Sequence, residues 1–457
     1  MRILSRSLLF FVLVFALGGC VVGPKYQKPK IVAPPDFRQL QAPTASSLAD
    51  QAWWEIFKDE QLQALIRTAL QNNYDLRIAA IRVEQARATA RISSADLYPQ
   101  LTLNGSVSQG NTPPFGNSTS ATVGPQLSWE IDFWGRFRKE RDAGNYELLA
   151  SDEGRRGVLI DLIAQVAQDY FLLRELDLQL QIAHETVETR QNTLDLFNKL
   201  KQAGVNSGLD IAQAESDLAA AEATIPDLER QVVQQENALR LLLAENPGVV
   251  QRGKLLTEQY LPPEIPAGLP SDLLERRPDI RQAEASLRAS NALVGVARAD
   301  FFPQISLTGL FGLASEQLTG LSGGTAGTYS AGASMLAPIY NGGRIRASYR
   351  LALQQWEESK VNYEKSVQSS FREVADALIQ YQKLRELRVV QEREITALER
   401  ALHLSSMRYS GGLSSYLEVL DAQRGLFNAQ IALAQTKGGQ LTALVELYRA
   451  LGGGWQK

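Results

Sequence analysis

The chain carries one order of elements twice, and that duplication limits its fold more than any other feature. Ala95-Asp96-Leu97-Tyr98-Pro99-Gln100 matches Ala299-Asp300-Phe301-Phe302-Pro303-Gln304 at an offset of 204 residues, and in the same register Asp75 and Arg77 meet Asp279 and Arg281. After a few inserted residues Gly135-Arg136-Phe137-Arg138 matches Gly343-Arg344-Ile345-Arg346. Farther on, Gly204-Val205-Asn206-Ser207 matches Gly411-Gly412-Leu413-Ser414. The period is far longer than the roughly 20 to 50 residues of a solenoid, so it reads as one fold built twice. The expected organisation is a first repeat at 59–245, a linker at 246–270 and a second repeat at 271–451, with an N-terminal segment at 20–58 and a short tail at 452–457.

Each repeat contains a pair of strands. Leu101, Leu103 and Val107 alternate with Thr102, Asn104, Ser106 and Ser108; beyond a loop rich in Pro, Gly and Asn, Leu127, Trp129, Ile131 and Phe133 alternate with Gln126, Ser128, Glu130 and Asp132. The second repeat does the same with Ile305, Leu307, Phe311 and Leu313, then with Tyr329, Ala331, Ala333 and Met335. Period two with one apolar and one polar face is the signature of a half-buried strand. The expected pairs cover about 100–133 and 303–339, with turn-rich loops at 108–121 and 315–328. Small residues on the polar face fit a lumen, and short strands joined this way fit an outer-membrane hairpin.

Very long helices follow each pair. No proline occurs in residues 136–203, and apolar residues recur at helical spacing in Leu159, Leu162, Ile163, Val166, Ala167, Tyr170 and Phe171. At 1.5 Å per residue such a helix spans roughly 100 Å. Residues 339–457 are also free of proline, with expected breaks at Gly411-Gly412 and Gly438-Gly439. The mixture of Ala, Gln, Leu and charged residues is that of a coiled-coil-like array. One long helix and a shorter returning pair are expected in each repeat.

Four strands cannot lie in lipid alone, because the edge N–H and C=O groups of an open sheet would lose several kcal/mol each. Bacterial barrels need at least about eight strands. Several chains must therefore close one barrel, and cyclic symmetry makes a ring the natural solution.

The first residues specify export. Arg2 and Arg6 precede an apolar run at 8–17 that ends in Gly18-Gly19-Cys20, the order of a secretory signal occupying residues 1–19. The run of about ten residues is too short to cross a bilayer, which takes about twenty. Leu17-Gly18-Gly19-Cys20 resembles a lipobox, which makes Cys20 the lipidation site, and Cys20 is the only cysteine. One cysteine forms no internal disulfide. Val21 lacks the acidic character of an inner-membrane retention signal, so the expected location is the outer membrane, with outer-membrane lipid as a partner. No later stretch is apolar enough for a membrane helix. With 47 basic and 50 acidic residues the net charge of −3 argues against nucleic acid.

Leu273-Leu274-Glu275-Arg276-Arg277-Pro278-Asp279-Ile280-Arg281-Gln282-Ala283-Glu284, followed by Pro303-Gln304-Ile305-Ser306-Leu307-Thr308-Gly309, closely resembles the signature of the TolC-type outer membrane factors. Cys20, Gly23-Pro24, Tyr26 and Trp53-Trp54 resemble the lipoprotein branch of drug-efflux channels. The resemblance implies an α+β membrane protein: a homotrimer with a twelve-stranded β-barrel, four strands per chain, continuous with a long periplasmic α-helical barrel and a mixed equatorial domain. It also implies two partners, a periplasmic adaptor (membrane fusion protein) and an inner-membrane transporter of the resistance-nodulation-division type. Read physically, Pro278 and Asp279 are a helix start, since proline lacks only an orphan N–H and the acid meets the positive dipole end.

The resemblance also locates a periplasmic gate where each long helix turns back. Leu417-Glu418-Val419-Leu420-Asp421-Ala422-Gln423 resembles the family's gate segment. That puts Glu418 and Asp421 at its acidic positions and Leu417 at an apolar constriction, with Asp210 at the comparable place in the first repeat. Three copies of Asp421 around an axis would favour cations and resist ionisation. Tyr409 matches an aromatic that ties neighbouring coils together; the arginine expected beside it is Ser414 here, with Arg408 as the substitute. The residues by themselves also read as capping boxes, Ser207-x-x-Asp210 and Ser415-x-x-Glu418.

Nothing in the sequence supports catalysis. His184 and His403, the two histidines, fall in long helices without metal-site spacing. No phosphate loop or nucleophile elbow occurs, so no catalytic residue, metal or cofactor is expected. The energy of transport must come from another protein. The expected function is a passive outer-membrane conduit of an efflux pump for small molecules such as drugs. The alternatives are the exit duct of a type I protein secretion system, a trimeric surface lipoprotein or adhesin, and a periplasmic coiled-coil scaffold.

Overall fold

The computed structural model describes residues 21–32, 34, 47–112, 116–202, 207–262, 268, 270–316 and 327–453. Cys20 and the signal segment lie outside the described residues. The chain divides into two compact units. One comprises Met1–Ile31, Ile81–Glu153 and Asp279–Ser366; the other comprises Val32–Ala80, Gly154–Pro278 and Val367–Lys457.

The first unit holds the sheet. Strands β1 (Gln100–Thr112), β2 (Gly116–Ile131), β3 (Gln304–Ser315) and β4 (Gly327–Leu336) are antiparallel in the order β1-β2-β3-β4. Leu101 lies opposite Leu127, Trp129 opposite Leu307, and Leu307 opposite Ala333. The alternation read from the sequence thus becomes one continuous apolar face. On the polar face Asn104 donates to Gln126 (2.8 Å) and Ser106 meets Thr122 (2.8 Å). The first hairpin is longer than expected: pairing runs to Thr112 and Gly116, leaving residues 113–115 between them. A ladder is made of backbone bonds, so Ser, Asn and Thr extend it without apolar side chains.

Gln100 pairs with Ser128 and Gln304 with Leu336, so β1 maps onto β3 by the offset of 204 residues and β2 onto β4 by 208. The duplication therefore extends to hydrogen-bond register. Between β2 and β3 the backbones of Gly124 and Gly312 approach so closely that a Cβ on either would strike the other's strand. Pro125, next in line, has no N–H to donate.

The same unit carries most of the two helices that lead into the sheet. Helix α3 (Tyr74–Ala95) leads into β1, and α8 (Pro278–Ala299) leads into β3. Residues 21–28 lie along this unit: Val22 donates to the Trp134 carbonyl (3.1 Å), and Lys28 pairs with Glu284 of α8 (2.8 Å). At Gly23, with φ +139°, a Cβ would strike the Cα of Gly295.

The second unit is helical. Short α1 (Trp53–Ile56) and α2 (Glu60–Asn72) precede α3, and α7 (Leu273–Arg276) precedes α8. The long helices α4 (Arg136–Gln202) and α9 (Arg344–Ser410) begin in the first unit and end in this one. No helix among the described residues is long and apolar enough to cross a membrane. Its core gathers Leu62, Ile66, Tyr170, Leu173, Leu239, Leu441, Leu444 and Leu447, all fully or almost fully buried.

The chain returns differently in the two repeats. The first returns as a pair, α5 (Gly208–Glu222) and α6 (Thr224–Leu242), but the second returns as one helix, α10 (Tyr416–Ala450), against the expectation of a pair in each. Pro226 explains the first break, because its ring excludes the carbonyl four residues back at Glu222. Gly438-Gly439 does not interrupt α10. A Cβ on Gly438 would collide with the Glu175 carboxylate, and one on Gly439 would touch Leu384, so these glycines serve close packing.

The signature Arg276-Arg277-Pro278-Asp279 is a structural joint. Pro278 is the first residue of α8. Arg276 pairs with Asp50 (2.6 Å), while Arg277 donates to the Ala450 carbonyl (2.8 Å) and pairs with Glu373 (2.8 Å).

Candidate gate at the helix turns

The turn from α9 into α10 is built by glycine. Gly412, at φ +73°, closes α9, with Gly412 N–H donating to the Tyr409 carbonyl and Leu413 N–H to the Arg408 carbonyl (2.9 Å). This pattern satisfies the orphan carbonyls of the last turn. Gly411-Gly412 is thus the break that Gly438-Gly439 is not. In the first repeat, Gly204 and its two followers lie outside the described residues, and α5 starts at a capped Ser207.

The two expected capping boxes part company. Asp210 N–H donates to the Ser207 hydroxyl (3.2 Å), and Ser207 N–H returns to the Asp210 carboxylate (3.1 Å). Ser415, by contrast, makes no side-chain cap. Glu418 meets Arg408 instead, with Nε to Oε2 at 3.4 Å, so a cation from the end of α9 takes the carboxylate that a box would have used. Arg408, expected beside Tyr409, thus reaches Glu418. Leu417 is 58% exposed, and Asp421, one turn along, is exposed too. Leu417 and Asp421 share a face at the i, i+4 spacing.

Tyr409 packs into an aromatic cluster. Its ring centroid lies 5.6 Å from Phe197 and 5.5 Å from Tyr416, and Phe197 and Tyr416 meet edge to face at 4.5 Å. Ile211, Ala214, Val419 and Leu420 complete the cluster. It joins the ends of α4 and α9 to the starts of α5 and α10.

Next to it lies a charged centre that sequence reading missed. Asp217 of α5 is 1% exposed and is held by Arg190 of α4 and Arg424 of α10. Arg424 donates to Oδ1 at 2.7 Å, and Arg190 donates to the Asp217 carbonyl at 2.7 Å. The Arg190 Nε to Oδ2 contact, at 2.9 Å, is an ion pair lying off the hydrogen-bond direction. Burial pulls the Arg190 guanidinium below its ordinary pKa, opposed by Asp217. Burial, with Asp217 adding to it, pushes the Tyr416 phenol up to about 12. The only sequence signal was an Asp at an apolar phase of α5, between Ala214, Leu218 and Ala221.

An amphipathic open sheet feeding two helices of 67 residues is a rare combination. The profile of the family described as "Outer membrane efflux protein" matches residues 65–245 and 269–453. The chain belongs to that family. Its two matched stretches carry the two copies of the strand-pair and long-helix plan. The chain is 37% identical to the cation efflux system protein CusC of Escherichia coli O6:H1 over 99% of both chains. It is equally identical to the toluene efflux pump outer membrane protein TtgC of Pseudomonas putida, over 99% of this chain and 96% of TtgC. Among solved structures, a CusC structure matches with TM-score 0.87 at 36% identity, covering 95% of this chain and all of that one. The outer-membrane channel OprN matches with TM-score 0.90 at 32% identity, covering 96% and 100%. The fold is the TolC-like one, and the protein is a non-enzymatic efflux channel of the outer membrane that extends into the periplasm.

Proposed function

We propose that three copies close one twelve-stranded barrel and form the exit duct of a tripartite pump. The observation that carries this reading is the open sheet, with β1 and β4 at its two ends and an apolar face throughout. Such a sheet is stable in lipid only when copies pair its edges. Cys20 is acylated and tethers each copy to outer-membrane lipid. At the other end a periplasmic adaptor and an inner-membrane transporter of the resistance-nodulation-division class deliver the cargo. The cargo is small: CusC is named for cations and TtgC for toluene, and the channel is a passive conduit for molecules of that size.

The gate lies at the helix turns. Leu417 narrows the mouth, Asp421 supplies a ring of like charge, and Glu418 is held back by Arg408. Asp210 fixes the start of α5 and Tyr409 braces the two turns against each other. Conductance in planar bilayers tests both parts. The purified oligomer should give stepwise, cation-preferring conductance with long closures, and Asp421→Ala should shorten the closures and weaken the cation preference. Absence of any conductance would refute the channel, whereas unaltered gating and selectivity in the variant would remove Asp421 from the gate.

A further inference from the structure

The segment that follows Cys20 lies as a strap on residues that only one repeat supplies. At its start Val21 faces Gly135, whose φ is +80° and where a Cβ would crowd the valine, and Val22 N–H donates to the Trp134 carbonyl (3.1 Å). Gly23 passes so close to Gly295 of α8 that a side chain at 295 would meet the Val22 carbonyl. Farther along, Glu284 is 8% exposed and takes the Lys28 ammonium (2.8 Å), the Tyr26 hydroxyl (3.3 Å) and Arg288 (2.5 Å). The Arg288 guanidinium also lies over the Tyr26 ring, 5.1 Å from its centre. The strap is thus fastened by close backbone approach at one end and by charge at the other.

The duplicate positions lack these fastenings. The offset of 204 places Ala80, Glu84 and Arg91 of α3 where α8 has Glu284, Arg288 and Gly295, and the offset of 208 places Gly342 where the first repeat has Trp134. Ala80 has no carboxylate for Lys28, and an arginine stands at 91 where the strap needs a glycine. Attraction at one site with obstruction at its duplicate gives specificity.

The fastened start of the strap also has a definite depth. Trp134, three residues past β2, stacks on Phe302 (4.6 Å) and meets Phe133 edge to face (4.8 Å). Aromatic side chains grouped where a membrane strand ends mark the boundary between hydrocarbon and headgroups. Val21 is 49% exposed at that place and is one peptide bond from Cys20. An acyl chain alone holds a protein to a membrane only marginally, and a closed barrel is held without it, so a seat this closely built governs where the lipid goes.

We infer that the strap positions the lipid: Gly295, Glu284 and Lys28 deliver the acyl chains on Cys20 to the foot of β2, along Leu127 and Trp129 of the apolar face, and not to the duplicate foot of β4. Leu127 is 42% exposed on that face, and its duplicate on β4 is Met335. Neighbouring strands lie about 4.8 Å apart, so the two feet are about 10 Å from each other and a flexible chain favours one of them as a ratio.

This inference rests on the acylation of Cys20 and the membrane sheet proposed above, and the experiment separates them. The photo-reactive residue p-benzoylphenylalanine is placed at Leu127 or at Met335 of the full-length protein in outer membranes, and the products of irradiation are mapped by mass spectrometry. Position 127 should join the acylated N-terminal peptide several-fold more often than position 335. Gly295→Arg should bring that ratio toward one, and so should Lys28→Glu, an exposed change that leaves α8 intact. Trypsin should also cut the Lys25–Tyr26 bond several-fold faster in Lys28→Glu than in the parent, because proteolysis follows the population of the open form. Equal yields at the two positions in the parent, cross-links to phospholipid alone, or a ratio that neither substitution moves would overturn the inference and leave the acylated channel standing. An N-terminal peptide without any acyl chain would overturn the acylation and the inference with it.

Discussion

At the scale of single residues, environment overrides identity. Glu175 and Glu418 are both helix-borne glutamates, yet Glu418 lies at an exposed turn against Arg408, whereas Glu175 is pressed onto Gly438 with one bond from Gln179 (2.8 Å). Burial pushes the Glu175 carboxyl up to about 7, against the lowering effect of Gln179. An acid whose folded pKa exceeds its unfolded value makes the folded state bind more protons, so its contribution to stability falls as pH rises between the two. The protein should therefore lose melting temperature between about pH 4.5 and about 7. Glu175→Gln should flatten that part of the profile and melt higher than the parent at pH 8. Equal slopes for the two proteins would contradict this account of Glu175.

At the scale of elements, the helix turns are fastened by two different means. The aromatic cluster of Phe197, Tyr409 and Tyr416 removes apolar surface from water, and the adjoining Asp217 ties α5 to α4 and α10 through two guanidinium groups. Removing one partner of a buried pair leaves an uncompensated charge and typically costs about 3 to 5 kcal/mol. Asp217→Asn strands Arg190, itself 6% exposed, so thermal melts should show a loss of that order. Asp217→Leu combined with Arg190→Met should lose less than Asp217→Asn alone, because no buried charge is then left unpaired. A larger loss in the double variant would argue against the ion pair as the fastening.

At the scale of the whole molecule, the sheet's two faces meet two solvents. Leu103 is 79% exposed on the apolar face and Asn104 lies on the other. A cation on the lipid face near the bilayer midplane costs about 2 to 4 kcal/mol. Leu103→Arg should therefore impair recovery of folded protein in the outer-membrane fraction, whereas Asn104→Arg should leave recovery intact and alter conductance; the reverse order would assign the faces the other way. The sequence alone located the strands of that sheet: alternation, the duplicated motifs and the proline-free helices are local or repeated patterns, and period two read from Leu101 to Met335 survives into register, although β2 stops at Ile131 short of Phe133 and the first hairpin runs on to Thr112 and Gly116. It also pointed to the turn at Gly411-Gly412, because a left-handed residue at a helix end has a local cause. Gly438-Gly439 had the same local look and a different outcome, since the Glu175 carboxylate that fills the space there comes from far away along the chain. Only tertiary structure could decide that Ser415 gives up its capping role to Arg408, or that Asp217 is the buried partner of Arg190 and Arg424. Helical periodicity fixes which face a residue occupies, but its partner is set by which other helix lies against that face, and that information is spread over residues hundreds of positions apart.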